Sequence, residues 1–370
     1  MSERSRWKRL AKCLHAARLP ALLITHLPDV RYLCGFTGSS AALVLLAGTS
    51  QVRARLFTDG RYRDQARAEV RGATVRIVKG NTLHAAAEWL AAGSVPVCGI
   101  DASHTSLATQ SQLTKALRTA KSKCRLRALI SPVTSLRQIK SEAEQQTLAR
   151  AAALGCDLYN DLLTFIEPGL REIDIAAELE CRARKAGADG MSFETIVAAG
   201  PRSSMPHARA SAAPIRPGEL LTLDFGIMLD GYCSDMTRTV QVGQGGTLGR
   251  QRHQREVFEA VLVAQQAAVE IVRDGVSAET VDAAARKTLK QAGMAKWFTH
   301  STGHGLGLEI HEGPRIAAKQ DEPLRAGMVI TIEPGVYLPG QFGVRIEDTV
   351  RVTETGCEIL TPAYKGWLEL

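Results

Sequence analysis

The stretch "ELLTLDFGIMLDGYCSDMTRTVQV" holds two aspartates, Asp224 and Asp235, on either side of an Asp-Gly pair at 230–231. Asp-Gly between two β-rich runs signals a two-residue hairpin. Folded that way, residue 224 lies opposite residue 237. Asp235 becomes the diagonal neighbour of Asp224 on the same face, because strand side chains repeat every two residues. Thr222, Asp224 and Gly226 share that face, while Leu221, Leu223 and Phe225 point to an apolar one. Two carboxylates are thus brought together against a core, where like charges repel. A compensating cation, a shared proton or a metal ion is needed. A salt-bridged or solvated pair is the ordinary alternative.

The end of the chain repeats the arrangement. "MVITIEPG" carries Glu333 at the end of a β-branched run, just before Pro-Gly. In "GVRIEDTVRV", Arg345, Glu347 and Thr349 share one face, and Val344, Ile346 and Val350 the other. Asp348 falls on the apolar face and is a weaker candidate. Before these strands comes "HSTGHGLGLEIHEGP", with three of the nine histidines and glycines at 303, 305 and 307. Glycine in such numbers is poor for a helix. It serves where the backbone passes close to something or takes positive φ. The zinc pattern H-E-x-x-H is absent, and so is the spacing of a phosphate-binding loop. Four carboxylates with the His304 imidazole form a hard-oxygen set with one borderline nitrogen. Such a set suits two divalent ions such as Mn²⁺, Co²⁺ or Zn²⁺ better than a single structural zinc.

These residues need a scaffold, and 370 residues with 45 % hydrophobic and 23 % charged content predict two ordinary globular domains. "ALLIT", "AALVLLA", "ARLFTD", "TVRIVK" and "PVCGID" read as strands, alternating with helices such as "TLHAAAEWLAA" and "SLATQSQLTKALRTA". That alternation is an α/β layer domain over 1–132. "SPVTSLRQIKSE" breaks the pattern, which makes 133–142 a linker and 143–370 a second domain. The second domain predicts helices over 143–165, 171–187, 253–274 and 278–292, and strands over 219–228, 232–242, 328–333 and 343–352. Helix pairs followed by antiparallel strands are α+β.

Residues 1–140 hold 23 Lys/Arg against 7 Asp/Glu, and the remainder 23 against 31. The split gives two surfaces of opposite charge, within a chain or between subunits. No nucleic-acid-binding motif accompanies it, and aromatics are only 5 %, so a nucleic-acid partner is not expected. No apolar run has the length of a membrane span. The basic start (Arg4, Arg6, Lys8, Arg9) followed by "LPALLIT" reads as a helix running into a strand rather than a cleaved leader. Eight scattered cysteines without C-x-x-C point to reduced thiols in a cytoplasm. "GMSFE" lacks the closing glycine of a nucleophile elbow, and "GQGGTLG" lacks dinucleotide-loop spacing.

Taken together, "LDFG", "SDMTRT", "GHGLGLEIHE", "TIEPG" and "RIED" resemble the five ligand motifs of the pita-bread metallopeptidases. The chain is similar to their proline-specific branch, Xaa-Pro aminopeptidase (aminopeptidase P) and Xaa-Pro dipeptidase (prolidase). The N-terminal part, with "DVRYLCGFTGSS" and "LFTDGRY", resembles the creatinase/prolidase N-terminal domain. The resemblance implies an α+β pita-bread catalytic domain behind an α/β domain. It implies two divalent ions, Mn²⁺ foremost and Co²⁺ or Zn²⁺ as alternatives. Asp235 and Glu347 would bridge them, Asp224 would complete one, and His304 with Glu333 the other. Hydroxide held between the ions would attack the carbonyl before proline, with Glu333 passing the proton to the leaving nitrogen. His207, in "SSMPHARAS", and His311 match histidines that steady the scissile carbonyl. His300 and Arg345 match the wall of the proline-side pocket. Arg315 resembles an arginine that holds the free carboxylate of a dipeptide. Glu312 and Asp348 read as structural neighbours. The substrates would be proline-containing di- or oligopeptides, and the assembly a homodimer. A methionine-aminopeptidase-like activity would share the five ligands. A catalytically silent binder on the same scaffold would be expected to have lost some of them, and all five are present.

Overall fold

The computed structural model describes residues 3–48 and 52–370, and the chain divides into two compact units, Met1–Arg137 and Gln138–Leu370. In the first unit, strands β1 (Ala21–Ile24), β2 (Ala42–Ala47), β3 (Val52–Asp59), β4 (Thr74–Val78), β5 (Val97–Asp101) and β6 (Arg125–Leu129) form one sheet in the order β4-β3-β2-β1-β5-β6. Its helices are α1 (Glu3–Ala16), α2 (Leu27–Cys34), α3 (Arg63–Glu69), α4 (Thr82–Ala92) and α5 (Leu107–Thr119). Leu83, Ala86, Ala87 and Leu90 of α4 and Leu113, Ala116 and Leu117 of α5 pack on the sheet through Leu23, Val44 and Ile100. Each of the buried Leu, Val and Ile side chains stabilises by roughly 1.5–3 kcal/mol. Asn81 and Ser106 cap α4 and α5 by accepting from first-turn N–H groups. A short helix, α6 (Pro132–Gln138), follows.

The second unit contains two helix pairs, each followed by a long β-hairpin. Helices α7 (Glu142–Leu163) and α8 (Glu172–Lys185) precede β7 (Gly190–Met191), β8 (Ile196–Ala199), β9 (Glu219–Phe225), β10 (Ile227–Leu229), β11 (Tyr232–Cys233) and β12 (Met236–Val242). Helices α9 (Leu248–Glu270) and α10 (Ala278–Gln291) precede β13 (Gly303–Gly305), β14 (Glu312–Ile316), β15 (Val329–Ile332), β16 (Gly335–Leu338), β17 (Phe342–Arg345), β18 (Asp348–Val352) and β19 (Cys357–Ile359). Leu221, Leu223 and Phe225 of β9 pack with α7 and α8, and Ile330, Ile332 and Val344 pack with α9 and α10. No helix among the described residues is long and apolar enough to cross a membrane.

Both hairpins are broken in the middle. In the first, Asp230 and Gly231 both take positive φ, as a two-residue turn requires, and Thr237 faces Asp224. The ladder stops after Phe225 and resumes at Ile227. A Cβ on the intervening Gly226 would fall 1.8 Å from the Ser234 carbonyl oxygen. In the second, the run over 328–333 forms the single strand β15, whereas that over 343–352 divides between two sheets. β15 pairs with β18 and β16 with β17 in a single continuous register, and Glu333 and Glu347 lie in the gap across from each other. Pro334 has no N–H with which to continue the ladder. The expected strand over 343–352 is therefore two strands, interrupted at Ile346 and Glu347.

The glycines around His304 are explained by close approach. β13 is wedged between β14 and β15, and a Cβ would lie 1.9 Å from the Thr331 oxygen at Gly303 and 2.1 Å from the Gly313 oxygen at Gly305. A Gly305→Ala substitution should destabilise the protein by about 1–3 kcal/mol through overpacking against backbone. Gly249→Ala, in the exposed first turn of α9 with nothing near its Cβ, should stabilise by up to about 1 kcal/mol. Urea denaturation of the two variants measures the opposite signs.

Candidate metal centre

The two interrupted hairpins and β13 direct their polar side chains into one cavity of about 720 Å³ within the second unit. Its lining includes Asp224, Asp235, His304, Glu333 and Glu347, together with His207, His300, His311, Arg315 and Arg345. The sequence reading therefore named residues far apart in the chain that the fold brings to one place. Phe193, Glu194, Ile196, Arg209 and Ile310 also line the cavity and had no distinguishing signal in the sequence.

Ligand atoms of Asp224, Asp235 and Glu347 lie within 4.8 Å of one another, and all three residues are buried. His304 Nε2 stands 3.7 Å from Asp235 Oδ2 and 3.5 Å from Glu333 Oε1. The imidazole is held from behind, because Nδ1 lies 3.0 Å from the Gly305 carbonyl oxygen, which can only accept. That fixes the proton on Nδ1 and leaves the Nε2 lone pair facing the acids, the tautomer a metal ligand needs. Threonine hydroxyls orient two of the acids. Thr237 Oγ1 donates to Glu347 Oε2 at 2.7 Å, and Thr331 Oγ1 to Glu333 Oε1 at 3.4 Å. Thr237 could have been found in the sequence as the hairpin partner of Asp224, whereas Thr331 required the fold.

Arg345 is the cation of the group. It is almost fully buried and ion-paired through Nη2 with Asp224. Its Nε donates to Thr237 Oγ1 at 3.2 Å, and Nη1 to the Tyr337 hydroxyl at 2.7 Å and the Pro206 carbonyl at 3.1 Å. A compensating cation of the kind the sequence left open is thus present for Asp224, and most of the guanidinium is committed to protein contacts. Tyr337, unremarked in the sequence, also links to His300 Nε2 at 2.8 Å, while His300 Nδ1 contacts the Ser301 carbonyl at 2.7 Å. Outside this group, Glu312 pairs with Lys140, and Asp348 with Arg238 and Lys365.

One arginine does not neutralise four acids. Burial, and then the charges of Glu347, Asp224 and Glu333, push the Asp235 carboxyl well above its ordinary range. Burial and neighbouring carboxylates do the same to Glu347. Burial raises Glu333 to about 8, against the pull of Arg345. Burial lowers His304 and His300 to about 4, so both are neutral at pH 7. His311 is also lowered, by burial and by His207. Asp235 Oδ1 and Glu347 Oε1 are buried and have no hydrogen-bond partner. Orphaned carboxylate oxygens cost free energy that divalent cations would recover. The donor set therefore fits a pair of such ions.

The fold and this cavity define a metal-dependent hydrolase. Residues 146–354 match the model of metallopeptidase family M24, and residues 6–139 that of the creatinase/prolidase N-terminal domain. The chain belongs to metallopeptidase family M24, with the pita-bread catalytic domain preceded by the creatinase-type α/β domain. An uncharacterized peptidase of Bacillus subtilis (strain 168) is 38 % identical over 94 % of this chain and 95 % of its own length. The structure of an Xaa-Pro dipeptidase from Bacillus anthracis is similar over 100 % of both chains, with TM-score 0.93 and 34 % identity. That of an X-Pro aminopeptidase from Thermotoga maritima MSB8 is similar over 95 % of this chain and 98 % of its own, with TM-score 0.85 and 33 % identity.

The raised carboxyls give a pH signature. A group whose folded pKa is raised stabilises the fold while protonated and loses that contribution as pH climbs through the folded value. Glu333 therefore works against the metal-free protein as pH rises towards about 8. His300 and His304, lowered to about 4, act in the opposite direction, but only up to the ordinary histidine pKa near 6.5. Metal-stripped protein should lose roughly 1.4 kcal/mol per pH unit, for each carboxyl still protonated, between about pH 6.5 and 8. Added Mn²⁺ displaces those protons, so the Tm gain on adding it should grow over the same window. Thermal melts with and without Mn²⁺ test this; a Tm gain independent of pH would contradict it.

Proposed function

We propose that the protein is an Xaa-Pro peptidase that hydrolyses the peptide bond preceding proline, with dipeptides as preferred substrates. The observation that carries the hydrolytic part is the set of unpartnered oxygens on Asp235 and Glu347, beside the His304 lone pair, at the floor of one cavity. The proline preference is supported by relatives of that name. One is the Xaa-Pro dipeptidase of Pyrococcus horikoshii, 32 % identical over 96 % of this chain and 96 % of its own length. Arg315, exposed at the cavity, is suited to the free carboxylate of a dipeptide.

In this reading Asp224, Asp235, His304, Glu333 and Glu347 would hold two ions, with Asp235 and Glu347 shared between them, Asp224 serving one, and His304 with Glu333 serving the other. Mn²⁺ is the proposed native metal, with Co²⁺ or Zn²⁺ as substitutes. A bound ion pair supplies Lewis acidity and activates water at neutral pH. Glu333 would take the proton of the attacking water and deliver it to the proline nitrogen, a general acid/base role. His207 and His311, on the cavity wall, donate to the scissile carbonyl as it gains charge. His300 and Arg345 close the proline side, where the ring nitrogen offers no N–H to recognise. We place the N-terminal domain at 1–132, the linker at 133–142 and the catalytic domain at 143–370.

Metal-stripped protein should release proline from Gly-Pro and Ala-Pro only when Mn²⁺, Co²⁺ or Zn²⁺ is restored. Arg315→Met should raise KM for Ala-Pro by about tenfold, the worth of one charge-assisted contact, with less effect on a longer Xaa-Pro-peptide. No turnover with any metal would favour a silent binder, and equal KM changes would remove Arg315 from its role. The protein is further proposed to be a cytoplasmic homodimer, drawn together by its oppositely charged halves. Full activity from a monomer at micromolar concentration would contradict the dimer, and native disulfides the compartment.

A further inference from the structure

The segment that carries His207 is closed at its base by one buried carboxylate. Glu172 opens α8 and its side chain is fully buried, outside the lining of the cavity. Its Oε1 accepts from the Ala199 N–H at 2.9 Å, where the segment leaves β8. Its Oε2 accepts from the Ser211 N–H at 3.0 Å and the Ser211 hydroxyl at 2.7 Å, where the segment ends. Arg202, within the segment, donates Nε to the same carboxylate at 2.8 Å and Nη2 to the Arg209 carbonyl at 2.5 Å. One acid thus gathers both ends and one arm of the span from 199 to 211.

The middle of the span is fastened from the other side. Gly343 N–H donates to Ser203 Oγ at 2.8 Å, and Arg345 Nη1 to the Pro206 carbonyl at 3.1 Å. His207 follows directly. Its ring is exposed to the cavity and makes no hydrogen bond or ion pair among the described residues. The location of the imidazole is therefore inherited from the backbone beneath it. A buried carboxylate is tolerated only while its donors stay in place. Any shift of the span would strand Glu172 without partners, so the acid selects one conformation of the segment.

We propose that Glu172 is the positioning residue for His207, holding the 199–211 segment where the imidazole can reach the scissile carbonyl. The inference rests on the role given to His207 above. It adds a residue that touches neither substrate nor the candidate metal ligands. Glu172→Gln keeps the volume, but every partner of this side chain is a donor, so the new amide NH₂ must face another donor.

A double-mutant cycle tests the proposal on Mn²⁺-loaded full-length enzyme with Ala-Pro. Glu172→Gln should lower kcat by about 10- to 100-fold, the scale of a misplaced catalytic group, with the Mn²⁺ concentration for half-activation unchanged. In a His207→Ala background the same substitution should cost less than about threefold, because the group it positions is gone. Equal losses in both backgrounds, or an unchanged kcat in Glu172→Gln alone, would overturn the proposal and leave the His207 role intact. A His207→Ala enzyme with unchanged kcat would overturn both. Should Glu172→Gln fail to fold, Arg202→Met and Ser211→Ala loosen the same brace from the segment side and enter the same cycle with the same expectations.

Discussion

The second unit is organised around a repulsion. Asp224, Asp235, Glu333 and Glu347 are crowded against two hydrophobic cores, with Arg345 ion-paired among them through Asp224. Left alone, such a group keeps protons that carboxylates normally give up, and it leaves oxygens without partners. The cost is several kcal/mol by the usual penalty for buried charge. A fold that maintains this crowding has stored the free energy that divalent cations release on binding. The surrounding packing resists collapse of the site. Threonine hydroxyls hold Glu347 and Glu333, the Gly305 carbonyl holds His304, and the Arg345 guanidinium on the cavity wall holds Asp224.

The scaffold arrives at this through two similar units. Each helix pair is followed by a hairpin whose register is continuous and whose ladder is broken in the middle. The breaks free carboxylates from the pleat. Asp235 sits in one break, opposite a glycine that no larger residue could replace, and Glu333 and Glu347 face one another across the other. His304 enters from a third strand that only glycine neighbours allow so close to β14 and β15.

Much of the site was legible in the sequence because local rules fix it. The Asp-Gly turn sets the register of the first hairpin, and with it the nearness of Asp224 and Asp235. The glycines around His304 signalled close backbone approach, and the strand packing supplies the neighbours. What stayed hidden depends on contacts between distant segments. Tyr337 looks like any strand aromatic until Arg345 and His300 meet its hydroxyl. Glu172 looks like a first-turn helix acid until residues 199 and 211 close on it. The division of 343–352 into two strands depends on Pro334 across the hairpin, which a period-two pattern cannot register. Strand β6, "RLRAL", is an edge strand rich in arginine, and its polarity conceals it from a hydrophobic pattern.

These acids and His304 are placed to hold two ions in one shared cage. Titrating Mn²⁺ into metal-stripped protein while recording the electron paramagnetic resonance spectrum examines it directly. Two bound ions per chain are expected, with the broadened spectrum of a spin-coupled pair. Saturation at one ion, or two ions giving the sharp hyperfine pattern of isolated Mn²⁺, would contradict it.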